Sequence, residues 1–288
     1  MGSRCFRGWS RPITAWFDAQ RGLALGLMMT GSGIASMLGP IYVTTLIARY
    51  GWQAGWLGLA AVAIAALPLA VFLLKDAPSV ARGAVASQAL GVKASGAFRT
   101  LQFWFMAIGI LAFTCGTGGV SIHLTPMLVD KGLDRAAAAK VLALLGLGII
   151  VGRLSGGWLL DRLHGPAVAL GVFACAPAAY LLLSLAGAPA APAAVLIMGL
   201  AVGAEVDVLA YFTSRFFGTR SYSEIFGWLF GCLALGTAAG PVLVGAFYEQ
   251  SRSYGPALAV CGALCVVAIA LFGALGRYPI FTPSNETA

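Results

Sequence analysis

Long apolar stretches separated by short polar connections dominate the chain. The run that begins at Leu163 is about twice as long as a membrane-spanning helix, which needs about 20 apolar residues. Gly187, Pro189 and Pro192 interrupt it and divide it into two helices. The pattern therefore predicts eight membrane spans, at about 23–46, 53–74, 101–125, 137–160, 166–186, 191–213, 224–247 and 255–276.

The composition is that of an integral membrane protein. Of the 288 residues, 60% are hydrophobic and only 10% are charged, whereas a soluble domain carries about 25% charged residues. The short alternating segments of a membrane β-barrel are absent. The predicted fold class is an all-α polytopic membrane protein with about eight transmembrane helices. The first 20 residues lack an apolar core, so no cleavable signal peptide is predicted.

The basic residues indicate an orientation in the membrane. The net charge is +8, but the Lys and Arg residues lie in short loops between apolar runs, which argues against a nucleic-acid partner. If both termini are cytoplasmic, 13 of the 18 basic residues lie on the inner side. This bias predicts a multi-pass protein of the plasma membrane (the inner membrane in a bacterium) with both termini in the cytoplasm.

An internal repeat relates the first and seventh spans. Gly39-Pro40 aligns with Gly240-Pro241, and a Tyr-Gly pair follows each span, at Tyr50 and Tyr254. Parallel repeats of this kind are typical of transporters. Four spans precede the seventh in its bundle and none precedes the first. The predicted organisation is a two-span remnant of an N-terminal bundle (1–74), a cytoplasmic linker (75–100) and a C-terminal six-helix bundle (101–288).

Few ionisable residues fall inside the apolar runs. Arg153 lies within the fourth span, where a charge is costly and is a functional hypothesis by default; snorkelling to the cytoplasmic surface is the alternative. Glu205 and Asp207 lie in the sixth span and, being two residues apart, do not share a helix face. They could couple transport to a proton or cation, neutralise Arg153, or make a structural hydrogen bond. His123, near the outer end of the third span, could titrate near neutral pH or bond a helix end.

Other residue types point away from catalysis. The six cysteines mostly lie in apolar runs without paired spacing and are interpreted as core residues. No metal-ligand spacing and no nucleophile–base set is present, so neither an enzyme nor a cofactor is predicted.

Glycines in the first and seventh spans could allow path-lining helices to bend, or could serve close helix packing.

A loop motif carries a resemblance to a known family. Gly157, Leu159, Asp161 and Arg162 match the motif G-x-L-x-D-R-x-G of the major facilitator superfamily, with the last glycine displaced to Gly165. Three further stretches resemble its monocarboxylate and oxalate–formate branch: WFDAQRGLALGLMMTGSG at 16–33, HLTPMLVDKGL at 123–133 and SRFFGTRSYSEIFG at 214–227.

The resemblance implies a fold and a function. The family has twelve spans in two six-helix bundles, so the chain is expected to lack the first four spans, with a truncated gene model or a wrong start codon as the expected reason. Its activity would be secondary transport of a small organic anion such as a monocarboxylate by alternating access. Arg153 would be the counter-charge of that anion. The acid that often precedes this Arg by one turn is replaced by Ile149.

Two other functions stay open at this point. One Arg and two acidic residues within the spans are also compatible with a drug or metabolite exporter of the same superfamily. A truncated, non-transporting membrane protein is the alternative from a different class.

The motif also predicts a cytoplasmic gate. Asp161 lies at the C-terminal end of the fourth span, where the helix dipole disfavours a negative charge. The family's symmetry suggests that its partner is the start of the first span, around Arg21–Leu23. A local pair with Arg162 is the alternative.

Overall fold

The structure, a computed structural model, describes residues 21–73 and 91–279, and these residues are almost entirely helical. A one-turn helix, Ala94–Ala97, precedes the third long helix, and a 3-10 turn, Ala188–Ala190, joins the fifth to the sixth. The eight long helices are α1 (Arg21–Tyr50), α2 (Trp52–Leu73), α3 (Leu101–Asp130), α4 (Arg135–Arg162), α5 (Gly165–Ala186), α6 (Ala191–Phe217), α7 (Tyr222–Ser251) and α8 (Gly255–Gly273).

The predicted all-α fold with about eight helices is confirmed. In the described part of the chain, six helices, α3 to α8, are long and apolar enough to cross a membrane. The apolar part of α2 is the shorter segment Trp52–Pro68. Helices α3 and α7 are each 30 residues long and extend past their predicted ends. Helix α3 continues beyond 125 because Pro126 lies inside it without ending it.

The chain divides into two compact units, Met1–Gln88 and Ala89–Ala288. In the first unit, α1 and α2 form a hairpin through Gly51, whose φ of +86° is a left-handed conformation that favours glycine. The Tyr42 hydroxyl donates a hydrogen bond to the carbonyl of Gly58 across this hairpin, at 3.4 Å. The predicted domain boundaries at 74 and 100 remain a prediction.

In the second unit, α3 and α6 are the most buried helices. Burial within the structure covers 61% of the apolar segment of α3 and 56% of that of α6, against 28% for α7. Aromatic rings from α3, α5, α6 and α8 meet in the core: Phe113 and Phe173 lie 4.4 Å apart between ring centroids, and Phe272 lies 4.8 Å from Phe173. The core therefore forms between the helices of one six-helix unit.

Glycines bring α4 and α6 into backbone contact. Gly148, Gly152 and Gly156 recur every four residues on α4, and Gly199 and Gly203 have the same spacing on α6. A methyl group added to Gly148 would lie 2.8 Å from the Cα of Gly199, which is too close for a real side chain. Because residues four apart share a helix face, these glycines form one continuous contact that fixes α4 against α6.

A second glycine contact joins α3 to α7. A methyl group on Gly240 would lie 2.6 Å from the backbone nitrogen of Gly119, and Gly236 contacts the Thr114 region of α3. Gly227 and Gly231, earlier on α7, face open space instead. Close helix packing therefore accounts for Gly236 and Gly240 and not for Gly227 and Gly231.

Candidate functional site

Arg153 lies inside the second unit. Its position on α4 is nine residues before the end of the helix at Arg162, which corresponds to about 13 Å along the axis. Only 8% of its surface is exposed within the structure. The side chain is thus enclosed by neighbouring helices and does not extend along the lipid-facing surface as a snorkelling arginine would.

Asp207 on α6 faces Arg153 on α4. Their closest atoms, Nη1 of Arg153 and Oδ1 of Asp207, are 3.9 Å apart, and the side chains are 10% and 19% exposed. This distance permits a strong electrostatic interaction but is too long for a hydrogen bond. The glycine contact between α4 and α6 places the two helices close enough for this pairing.

The charged groups leave hydrogen-bonding capacity unused. Among the described residues, Nε and Nη1 of Arg153 have no hydrogen-bond partner, and neither does Oδ2 of Asp207. Burying a charged donor without a partner is costly. The guanidinium can therefore accept a further anionic or polar partner without losing a hydrogen bond that it already makes.

Glu205 adds a second carboxyl group to this region. It is 9% exposed, and its Oε2 atom has no hydrogen-bond partner among the described residues. It lies within electrostatic range of Arg153 and also of Tyr180 on α5 and Cys265 on α8. The two acids thus have different surroundings: Asp207 forms an ion pair with Arg153 on α4, whereas Glu205 also interacts electrostatically with side chains on α5 and α8.

The cluster has an unbalanced charge. One guanidinium faces two carboxyl groups, so ionisation of both acids would leave a net negative charge in the interior of the unit. A buried uncompensated charge is strongly disfavoured. Uptake of one proton or one monovalent cation would restore neutrality.

His123 lies apart from this cluster. Its ring nitrogen Nε2 is 3.1 Å from the carbonyl oxygen of Pro241 on α7, to which the ring N–H can donate. The ring centroid lies 6.0 Å from that of Tyr254. In the part of the chain that the structure describes, His123 makes no hydrogen bond or ion pair with Arg153, so the predicted set is not brought together as a whole.

The loop-motif residues lie at the end of α4. Gly157 is within the helix and partly buried, whereas Asp161 and Arg162 are exposed. The guanidinium carbon of Arg162 lies 4.5 Å from the centre of the Trp158 ring, and no ion pair of Asp161 is formed within 91–279. The side chain of Arg21 lies outside the described residues, so the gate between Arg21 and Asp161 stays a prediction.

The contact that positions the cluster was not predicted from the sequence. Its signal was present: Gly-x-x-x-Gly repeats at Gly148, Gly152 and Gly156 on α4, and at Gly199 and Gly203 on α6. In apolar helices this spacing indicates close helix association. Arg153 follows Gly152 directly, so the same motif brings its helix up to α6.

The described residues offer no metal-binding arrangement. No group of three or more His, Cys, Asp or Glu side chains within them could hold a metal ion. The cysteines at 115, 175, 232, 261 and 265 are free thiols. The chemistry of the site is therefore best described by its charges: a buried cation with spare donors beside two carboxyl groups.

Comparison with curated proteins identifies transporters as relatives. The chain is 25% identical over 284 residues to monocarboxylate transporter 11 of Mus musculus, which covers 92% of this chain and 62% of the relative. It is 34% identical over 173 residues to the uncharacterized MFS-type transporter YcxA of Bacillus subtilis, covering 56% of this chain and 39% of that protein. The chain thus spans less than two thirds of the length of these relatives.

Comparison with solved structures supports the fold. The fucose:proton symporter FucP of E. coli superposes with a TM-score of 0.64 at 15% identity, over 92% of this chain and 72% of FucP. This identity is low, so the match shows the fold alone. The family model described as Major Facilitator Superfamily matches residues 8–236, which is most of the chain. The chain belongs to the Major Facilitator Superfamily.

Proposed function

We propose that this chain acts in secondary transport of a small organic anion, such as a monocarboxylate, and that Arg153 binds the carboxylate. The observation that carries the proposal is the burial of Arg153 with unpartnered Nε and Nη1 atoms. A guanidinium offers a planar fork of donors that matches a carboxylate. Similarity to monocarboxylate transporter 11 supports the same substrate class.

Asp207 is the counterion that the substrate replaces. At 3.9 Å it neutralises Arg153 without making a hydrogen bond to it. A substrate carboxylate that approaches to hydrogen-bond distance gains two charge-assisted bonds, which Asp207 does not make. Binding then releases Asp207 from its interaction with Arg153, and the acid becomes a better proton acceptor.

Proton coupling follows from this exchange. A substrate anion adds a negative charge beside Asp207 and Glu205, and the buried cluster is neutral only if protons enter with the anion. Glu205, with an unpartnered Oε2 atom, is the second proton-carrying candidate. The proposed cycle therefore moves the anion together with at least one proton.

The proposed arrangement in the membrane follows the family. Residues 1–74 contribute to an N-terminal bundle, 75–100 form a cytoplasmic linker, and 101–288 form the C-terminal bundle. The protein lies in the plasma membrane, and both of its termini face the cytoplasm. The two bundles rock around a site near the midplane. Asp161 and Arg21 form the inner gate, and His123 lies near the outer end of the path.

The experiment is a direct binding measurement on the purified full chain. A radiolabelled short monocarboxylate and its uncharged amide are compared by equilibrium binding in detergent, and uptake is then measured in proteoliposomes with and without an inward proton gradient. Saturable binding of the carboxylate, with much weaker binding of the amide, supports the proposal. Equal binding of acid and amide contradicts the role of a cationic site.

A further inference from the structure

One end of the second unit carries an excess of positive charge. The starts of α3, α5 and α7 and the ends of α4, α6 and α8 share this end, because successive helices run in opposite directions. Among the residues that the structure describes, the Lys and Arg residues at this end number six, Lys93, Arg99, Arg162, Arg215, Arg220 and Arg277, and the Asp and Glu residues number two, Asp161 and Glu224. The opposite end is nearly balanced, with four basic residues, Lys131, Arg135, Lys140 and Arg252, and three acidic ones, Asp130, Asp134 and Glu249.

Arginines at the positive end stack on aromatic rings. Besides Arg162 over Trp158 at 4.5 Å, the guanidinium of Arg215 lies 5.3 Å from the centre of the Tyr211 ring and 6.0 Å from that of Tyr278. The Nε–H of Arg215 donates to the Tyr211 hydroxyl at 3.3 Å. Stacking orients each guanidinium while leaving its terminal N–H groups available.

These two arginines have no carboxylate partner among the described residues. The ion pair found within 91–279 is the buried one between Arg153 and Asp207, whereas Arg162 and Arg215 are exposed. Solvation alone would satisfy them in a soluble protein. Here they end apolar helices that are long enough to cross a membrane, so their donors lie at the depth of the lipid headgroups.

The segment after α8 closes the patch. Tyr278 lies 5.1 Å from Phe216 and 6.4 Å from His164 between ring centroids. A methyl group on Gly165, the first residue of α5, would lie 2.7 Å from the Tyr278 hydroxyl. The ends of α6 and α8 and the start of α5 therefore meet here, and the Tyr278 ring lies near the Arg215 guanidinium.

We propose that this arginine–aromatic patch, formed by Trp158, Arg162, Tyr211, Arg215 and Tyr278, binds the phosphate headgroups of anionic phospholipids. A phosphodiester matches the fork of a guanidinium, and the aromatic rings lie where tryptophan and tyrosine favour the membrane interface. The other end of the unit, with nearly balanced charge, would not discriminate between lipids. The patch thus anchors this end in an anionic leaflet.

The test compares lipid binding by paired variants of the purified full chain. Native mass spectrometry measures binding of phosphatidylglycerol and phosphatidylcholine to the wild type, to the double variant Arg162→Gln/Arg215→Gln and to the matched control Arg135→Gln/Arg252→Gln at the opposite end. We expect the wild type to prefer phosphatidylglycerol and the first double variant to lose roughly 10- to 30-fold in its affinity for that lipid. The affinity of the control variant for phosphatidylglycerol should differ from that of the wild type by less than about twofold, since its substituted residues lie outside the patch.

Several results would overturn the proposal: equal affinity of the wild type for both lipids, an equal loss in the control, or full displacement of phosphatidylglycerol by millimolar inorganic phosphate, which would indicate a site for a free anion. A charge-preserving pair, Arg162→Lys/Arg215→Lys, guards against misfolding of the glutamine variant. It should keep a preference for phosphatidylglycerol, and its failure to discriminate between the lipids would also contradict an electrostatic headgroup site.

Discussion

Arg153 and Asp207 face each other across the contact between α4 and α6, with 3.9 Å between Nη1 and Oδ1. The pair is close enough for each charge to stabilise the other, yet Nε and Nη1 of Arg153 remain without hydrogen bonds among the described residues. This combination of a neutralised charge and unused donors suits a site that must bind an anion and release it again. A fully hydrogen-bonded arginine would have to give up bonds to do so.

Removal of the counterion tests the exchange between Asp207 and substrate. The variant Asp207→Asn removes the carboxylate closest to Arg153, so we expect carboxylate affinity to rise by on the order of tenfold, or about 1.4 kcal/mol. The ligand-free protein should unfold at a lower temperature, because Arg153 loses its ion pair and, of the two acids, only Glu205 remains to neutralise it. Equilibrium binding and thermal unfolding in detergent measure both effects.

The control for this substitution is Glu224→Gln, at an exposed position at the start of α7. It removes one carboxylate from the protein without touching the cluster, and neither quantity should change. A fall in carboxylate affinity in Asp207→Asn would show that Asp207 helps to bind the substrate and does not compete with it.

The glycine contact between α4 and α6 makes a prediction about stability. In Gly152→Ala, the added methyl group would lie 2.8 Å from the Cα of Leu200, so the helices must separate. Overpacking of this kind costs about 1–3 kcal/mol. Thermal unfolding should show a clear loss for Gly152→Ala and none for the matched change Gly231→Ala, whose glycine has nothing within 4 Å of the added atom. Equal stability of the two variants would rule out a tight contact.

Sequence patterns were sufficient for the helices and insufficient for the surroundings of the charges. The length of the apolar runs predicted α3 to α8, with the Gly and Pro residues at 187–192 dividing α5 from α6, because the bilayer imposes a minimum length on any spanning helix. The burial of Arg153 depends on how closely α6 approaches, and that distance is set by Gly148 and Gly199, residues far apart in the sequence. For His123, sequence left two roles open, since its bond to the Pro241 carbonyl depends on the packing of α3 against α7.

The predicted orientation can be tested by labelling from outside the cell. In a variant without native cysteines, Gln88→Cys should be protected from an impermeant maleimide, because the excess of basic residues places 75–100 in the cytoplasm. Ala188→Cys, in the turn between α5 and α6, should react. The reverse labelling pattern would show that the protein has the opposite orientation in the membrane.

The predicted gate can be tested by cross-linking in native membranes. The pair Arg21→Cys/Asp161→Cys, again without native cysteines, should form a disulfide under mild oxidation, because the proposed gate requires residue 21 to lie beside residue 161 in the state closed to the cytoplasm. Arg21→Cys/Arg135→Cys is the control, since Arg135 begins α4 at its opposite end. Cross-linking no greater than in this control would contradict the predicted gate between Arg21 and Asp161.

The affinity of Arg153→Lys for a short monocarboxylate tests whether the Arg153 guanidinium binds the substrate carboxylate. Lysine keeps the positive charge beside Asp207 but lacks the donor fork. We predict a loss of about 2–3 kcal/mol, or roughly 30- to 150-fold in affinity, by equilibrium binding to the purified chain. Arg135→Lys, exposed at the start of α4, should bind like the wild type. Binding by Arg153→Lys within about twofold of the wild type, at equal thermal stability, would contradict a bidentate carboxylate site at Arg153.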